Sequence, residues 1–287
     1  MELRFDTVDV FTATRFGGNP LAVVRDADAL TDAQMLAITR EFNYSETTFL
    51  CRPADPRHTA RVRIFTPGGE VPFAGHPNIG TAFVLAHDPA HAGAEGFLFE
   101  EAAGLVPLAI LRDGGRVTAT RLTAPEPLST GEAADPALLA AALSLAPADI
   151  VTTTHPPRMA SVGLPFRVVE IASRGALARA RPALGLWPKG PGRLVWLYTR
   201  DIAPADGDVD LSARMFAPED GMMEDPATGS ATAAACAMLA ALTGRAGFRV
   251  AQGVDMGRPS LLSVTVDAQG VHLAGQSVPV LSGVLTV

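Results

Sequence analysis

Two ionisable residues stand directly before proline in strings that otherwise repeat, His76-Pro77-x-x-Gly80-Thr81-Ala82 and Asp225-Pro226-x-x-Gly229-Ser230-Ala231. Each follows a second shared string, Arg63-Ile64-Phe65-Thr66-Pro67 in one case and Arg214-Met215-Phe216-Ala217-Pro218 in the other, so the copies keep their order at offsets of 149 and 151 residues. A fainter echo pairs Gly18-Asn19-Pro20 with Gly163-Leu164-Pro165. Chance is a poor explanation for ordered repeats, and a duplication into two similar domains is the physical reading. An imidazole at one position and a carboxyl at its equivalent suit a division of labour, one acid and one base in a proton transfer. Taken singly, Asp225 would read as a helix cap and His76 as a hydrogen-bonded turn residue. Their repetition favours a chemical task.

Such motifs need helices behind them. Proline one residue after the ionisable group suits the first turn of a helix, where a backbone N–H would be unpaired anyway. Glycine permits close backbone approach, and Thr81 or Ser230 adds a hydroxyl. The opening N–H groups of a helix have no partner within it, and with the positive end of the helix dipole they form a ready site for a carboxylate. Apolar periodicity predicts helices over 31–42, 78–86, 135–145 and 230–242, two of which begin at the repeated motif. Their alanine-rich bodies read as core, with function confined to their first turns. Apolar and β-branched runs predict strands over 5–11, 21–24, 47–50, 61–65, 106–111, 117–122, 166–171, 194–198, 261–266 and 278–287. Asp113-Gly114-Gly115 and Ala268-Gln269-Gly270 read as hairpin turns. The class is α+β.

Composition excludes several alternatives. With 48% hydrophobic and 18% charged residues, 287 residues can build a packed core in one large domain or two average ones. The first residues, Met1-Glu2-Leu3-Arg4-Phe5-Asp6, alternate charge with apolar side chains and read as a strand, not a secretory signal. The longest nearly apolar stretch, 231–242, falls short of the roughly 18 to 20 residues that cross a bilayer. A cytoplasmic protein with no membrane partner is expected. A net charge of −7 without a Lys/Arg run argues against nucleic acid as a partner. Cys51 and Cys236 lie 185 residues apart and fit a reducing compartment. His87 and His91 bracket Pro89, which interrupts the continuous helix a zinc face needs, so no metal site is expected. There is neither a glycine-rich phosphate loop nor a dinucleotide fingerprint, and no cofactor is expected. Gly229-Ser230-Ala231 does not complete the GxSxG of a serine hydrolase. A non-catalytic protein holding an anionic metabolite at the same helix ends is the alternative that these residues leave open.

The segments Val8-Asp9-Val10-Phe11-Thr12, Gly18-Asn19-Pro20-Leu21-Ala22-Val23-Val24, Ser45-Glu46-Thr47-Thr48-Phe49, Gly75-His76-Pro77 and Glu224-Asp225-Pro226-Ala227-Thr228-Gly229-Ser230-Ala231, with Gln252-Gly253 and Gly257-Arg258-Pro259-Ser260, resemble the PhzF-like phenazine-biosynthesis isomerases. That family shares a fold with diaminopimelate epimerase. The resemblance implies two pseudo-symmetric domains, each a curved, mostly antiparallel sheet around a central helix, with the active site between them. The expected domains are 1–119 and 120–277, with the last strand, about 278–287, returning to the first. It further implies Glu46 as the catalytic acid/base aided by His76 and Asp225, a small carboxylated substrate bound by Asn19, Ser45, Gly75, Gly229 and Ser230, and a homodimer. Composition by itself would leave Glu46 a solvent-facing residue. In a closed apolar cleft, however, its pKa would rise by desolvation towards neutrality, as a proton-transferring carboxyl requires. The epimerase relatives use two cysteines as bases; no cysteine occupies the matching positions here, which disfavours a thiol-based racemase.

Overall fold

The Thr31 hydroxyl accepts the Gln34 N–H while the Gln34 side chain takes up the Thr31 N–H, a reciprocal cap that starts helix α1, Asp32–Phe42. Its apolar face, Met35 and Ile38, packs with Leu3, Val24, Phe49 and Phe65. Helix α2, Gly75–Ala86, is different in kind, because all twelve of its residues are buried. A helix without a polar face is stable only when surrounded, and strands enclose it. The computed structural model that shows this describes residues 1–287, the side chain of Asp220 excepted.

The chain divides into two compact units, Met1–Thr123 with Ala274–Val287, and Ala124–Leu273. In the first unit the strands are β1 (Glu2–Val10), β2 (Asn19–Val24), β3 (Glu46–Cys51), β4 (Ala60–Thr66), β5 (Gly69–Val71), β6 (Gly96–Glu101), β7 (Gly104–Asp113) and β8 (Arg116–Thr123). Pairing along β1-β2-β3-β4-β6-β7 runs antiparallel, parallel, antiparallel, parallel, antiparallel. β5 folds back on β4, and β7 turns into β8 through Gly114-Gly115, one of the two hairpins read from the sequence. The C-terminal strand, Ser277–Thr286, runs antiparallel to β1 with Glu2 opposite Thr286.

The second unit holds β9 (Ser129–Ala133), α3 (Pro136–Ala142), β10 (Ile150–Val151), β11 (Arg158–Ser161), β12 (Pro165–Ile171), α4 (Arg174–Arg179), β13 (Val195–Thr199), β14 (Leu211–Ala217), β15 (Met222–Asp225), α5 (Gly229–Thr243), β16 (Gly247–Gln252) and β17 (Ser260–Asp267). Pairing along β11-β12-β13-β14-β16-β17 gives the same alternation of antiparallel and parallel ladders, with β15 folded back on β14 as β5 is on β4. In each unit a short helix follows the second strand of this series, and a hairpin leads into a buried helix, α2 or α5. The duplication read in the sequence is thus a duplication of topology.

The structure departs from the sequence reading at helix ends, at helix α4 and at strands β5, β6, β9, β10, β11, β14, β15 and β16, for which that reading has no element. Helix α2 begins three residues before 78, and α3 stops at Ala142, short of 145, with Ser144 left-handed just beyond it (φ 57°). Strand β14 lacks a continuous apolar run, since Ser212 and Arg214 alternate with its apolar residues, yet all seven of its residues are buried. Arg214 can be buried because its guanidinium is fully bonded, which hydropathy does not register.

Close packing of α2 rests on Gly80. A Cβ there would lie 2.6 Å from Leu21 Cδ2 and 2.7 Å from Val10 Cγ2, both within the β1–β2 floor. Gly80→Val is therefore expected to lower stability by about 1–3 kcal/mol through overpacking, read as a drop of several degrees in Tm. An unchanged Tm would mean that the floor yields.

Candidate functional site

In the first unit the parallel pairing of β2 and β3 sets Leu21 opposite Glu46, so both strands open side by side with Asn19 and Ser45 at their beginnings. Side chains alternate along a strand. Thr47 and Phe49 therefore turn away from α2, Phe49 into the α1 cluster, while Glu46 and Thr48 face α2. The Thr48 and Thr81 hydroxyls bond at 2.9 Å and tie β3 to α2 just beyond the motif.

Four polar residues meet there. The Ser45 hydroxyl donates to Asn19 Oδ1 at 3.0 Å, which orients the Asn19 amide so that its Nδ2 lies 3.4 Å from His76 Nδ1. His76 Nδ1 is 3.7 Å from Glu46 Oε2. Asn19 is fully buried, and the side chains of His76 and Glu46 are 4% and 16% exposed. Burial pushes the Glu46 carboxyl up to about 7, against the smaller opposing effect of its hydrogen bond with Ser45. Gly75 and His76 are the first two residues of α2.

In the second unit Asp225 ends β15, where it pairs with Met215. Its Oδ2 accepts the Thr228 hydroxyl. Gln252, at the end of β16, donates from Nε2 to Asp225 O at 2.9 Å and Thr228 Oγ1 at 3.0 Å, and its Oε1 accepts Trp196 Nε1 at 3.2 Å. The Ser260 hydroxyl holds Pro226 O at 3.0 Å. Gly253 follows in the left-handed region at φ 74°, where a Cβ would sit 2.5 Å from Pro226 O. Gly229 and Ser230 open α5.

The residues singled out from the sequence thus form two sets. Glu46, His76, Asn19, Ser45 and Gly75 gather in the first unit, and Asp225, Gly229 and Ser230 in the second. One expectation needs correction: Pro226 is not in a helical first turn. Pro77 is the third residue of α2, but α5 begins at Gly229, three residues after Pro226, because strand pairing and the Gln252 amide hold Asp225 and Pro226 in an extended turn. Trp196 and the role of Gln252 escaped sequence reasoning, since their bonds join segments far apart in the chain, and Thr228, though only three residues from Asp225, carried no signal beyond its place in the motif. Among the described residues no group of three or more His, Cys, Asp or Glu side chains is placed to hold a metal ion, and no helix is long and apolar enough to cross a membrane.

Comparison with known proteins gives a consistent picture. The model of the family described as phenazine biosynthesis-like protein matches residues 8–283. An uncharacterised isomerase of Mesorhizobium japonicum is 39% identical over 97% of each chain. Trans-2,3-dihydro-3-hydroxyanthranilate isomerase of Pseudomonas aeruginosa is 34% identical, covering 96% of this chain and 94% of that protein. The crystal structure of a Bacillus anthracis phenazine biosynthesis protein of the PhzF family matches with a TM-score of 0.89 at 23% identity over all of both chains, a likeness of fold.

Proposed function

The chain is an isomerase of the phenazine-biosynthesis-like (PhzF) family, and from that premise we propose that it shifts a proton on a small carboxylated substrate by acid/base chemistry without a cofactor, with Glu46 taking and returning the proton. The observation that carries this reading is the Glu46 carboxyl, buried beside His76 and held near 7. A base must be ionised to accept a proton, and its conjugate acid must be acidic enough to release it; a pKa near the working pH serves both. The electron pair of the broken C–H bond becomes a new double bond as an existing double bond of the substrate shifts its pair to a further carbon, which is then protonated. Glu46 then returns the proton to a different carbon, and the step is redox-neutral.

His76 and Asp225 are the assisting titratable groups in this proposal. Asn19 and Ser45 orient the first set, and the opening N–H groups of α2 at Gly75 and of α5 at Gly229 and Ser230 suit a substrate carboxylate. The support for drawing both sets onto one substrate is the repeat itself, which places an ionisable residue beside a helix start in each copy. The proposal includes a homodimer, as the family resemblance implies.

Small cyclic and amino carboxylates incubated with the enzyme in heavy water test this. Deuterium is expected at carbon in at least one of them, at a rate that rises with pH through about 7 as Glu46 ionises. Tight binding without exchange in any of them would overturn the isomerase mechanism in favour of a binding protein.

A further inference from the structure

The two motif helices are approached from one position in the ladder by different residues. In the second unit Ala213 stands opposite Gln252 in the parallel pairing of β14 and β16, and the Gln252 amide clamps the turn between Asp225 and Thr228. In the first unit β4 and β6 pair likewise, Arg61 opposite Glu100, so the next residue, Glu101, stands where Gln252 stands. Its offset from Gln252 is the 151 residues that separate Arg63 from Arg214. Strand alternation puts Glu101 on the face of β6 that carries the buried Phe97 and Phe99.

A glutamine amide donates hydrogen bonds; an ionised carboxylate cannot. Both Glu101 oxygens and Asn78 Oδ1, in the first turns of α2, are buried without a partner at full hydrogen-bonding geometry, and the Asn78 side chain lies close enough to the Glu101 carboxyl to act on it. Asn78 Nδ2 is committed to Ala74 O at 3.0 Å, at the cap of the helix. A single proton on the carboxyl would give Asn78 Oδ1 a donor and Glu101 a partner. We infer that Glu101 is a positioning residue which, in its protonated form, donates to Asn78 Oδ1 and holds the first turn of α2, with Gly75 and His76, as Gln252 holds the turn after Asp225.

Burial, the larger influence, pushes the Glu101 carboxyl up to about 8, while Asn78 acts in the opposite direction. The charged groups nearby are otherwise engaged. Arg63 and Glu70 of the β4–β5 hairpin pair with each other, and Glu100 is taken by His58 and the Ala54 and Asp55 N–H groups. β7 brings Gly104 opposite Glu101 and keeps Arg112 and Asp113 at its far end. His76 is the titratable residue of α2's first turn.

The inference rests on the reading of α2's start as part of the active site, so one arm of its test avoids turnover. Glu101→Leu is expected to lower substrate exchange by about tenfold or more through misplacement of the helix start. Glu101→Gln, which restores a donor without a titrating proton, is expected to recover most of that loss and to abolish the fall in wild-type exchange above about pH 8. In thermal unfolding, the folded wild type keeps this proton to about 8 whereas an ordinary carboxyl releases it near 4.5. Stability therefore falls as pH rises between those values. The Glu46 contribution has the same sign and is about half spent at pH 7, but it is common to the wild type and Glu101→Gln and cancels in their difference. Between pH 7 and 8 the wild-type Tm is thus expected to keep falling relative to that of Glu101→Gln. Glu101→Gln as impaired as Glu101→Leu, or parallel Tm curves over that interval, would overturn the inference. Absence of exchange in the wild type would strike the isomerase mechanism alone, and the Tm comparison would still decide on Glu101.

Discussion

Glu46→Gln is expected to fold and to bind carboxylates, yet to lose turnover by on the order of 10² to 10⁴, the usual worth of a positioned acid/base group. The substitution keeps the shape of the side chain and a hydrogen bond towards Ser45 while removing its capacity to take a proton. Stability should respond in the opposite sense. A carboxyl held near 7 in the fold, against an ordinary value of 4.5, weakens the native state as pH rises between these two values. Glu46→Gln removes that contribution, so its Tm should decline less than the wild-type Tm from pH 5 to 7. His76→Gln and Asp225→Asn should lose less exchange if they only assist, or comparably much if the proton passes through them. Full exchange by Glu46→Gln in heavy water would move the role to the His76 and Asp225 pair.

Arg214→Met is the largest stability change expected. The Arg214 side chain is 5% exposed; its Nε and Nη2 bond both oxygens of Glu224 at 2.8 Å, and Nη1 caps Leu177 O and Ala180 O at 2.8 and 2.9 Å. Removing the guanidinium leaves a mostly buried carboxylate and the final carbonyls of α4 without these partners, at a cost of about 3–5 kcal/mol. In Tm this is roughly 10 °C. Its counterpart Arg63 binds Glu70 and Asp32, which are 35% and 80% exposed, and Arg63→Met should cost about 1 kcal/mol or less. The double variant Arg214→Met/Glu224→Gln should recover part of the loss. Equal costs at positions 63 and 214 would mean that burial of the pair is immaterial. Because Glu224 precedes Asp225, exchange activity should fall with Arg214→Met even below its Tm.

Much of the architecture could be read from the chain alone, because periodicity and repetition are properties of order. The cap at Thr31, the alternation that builds β1 and β8, and the equivalence of His76 with Asp225 need only neighbours in sequence or comparison of the chain with itself. The α+β class follows from the same information, and the family resemblance from the quoted motifs themselves.

The state of each group was decided elsewhere. Glu46 looks like any exposed glutamate until the parallel pairing of β2 with β3 sets it against His76, and only burial by distant segments moves its carboxyl to about 7. Arg214 interrupts an apolar run in β14, and Glu224 with the end of α4 makes it a core residue. Pro226 looks like a helix start and is held outside α5 by an amide 26 residues further on. Desolvation and hydrogen-bond satisfaction sum over residues that only folding assembles, so local pattern determined where the chemistry-bearing groups stand along the chain, and tertiary packing alone determined their protonation, orientation and partners.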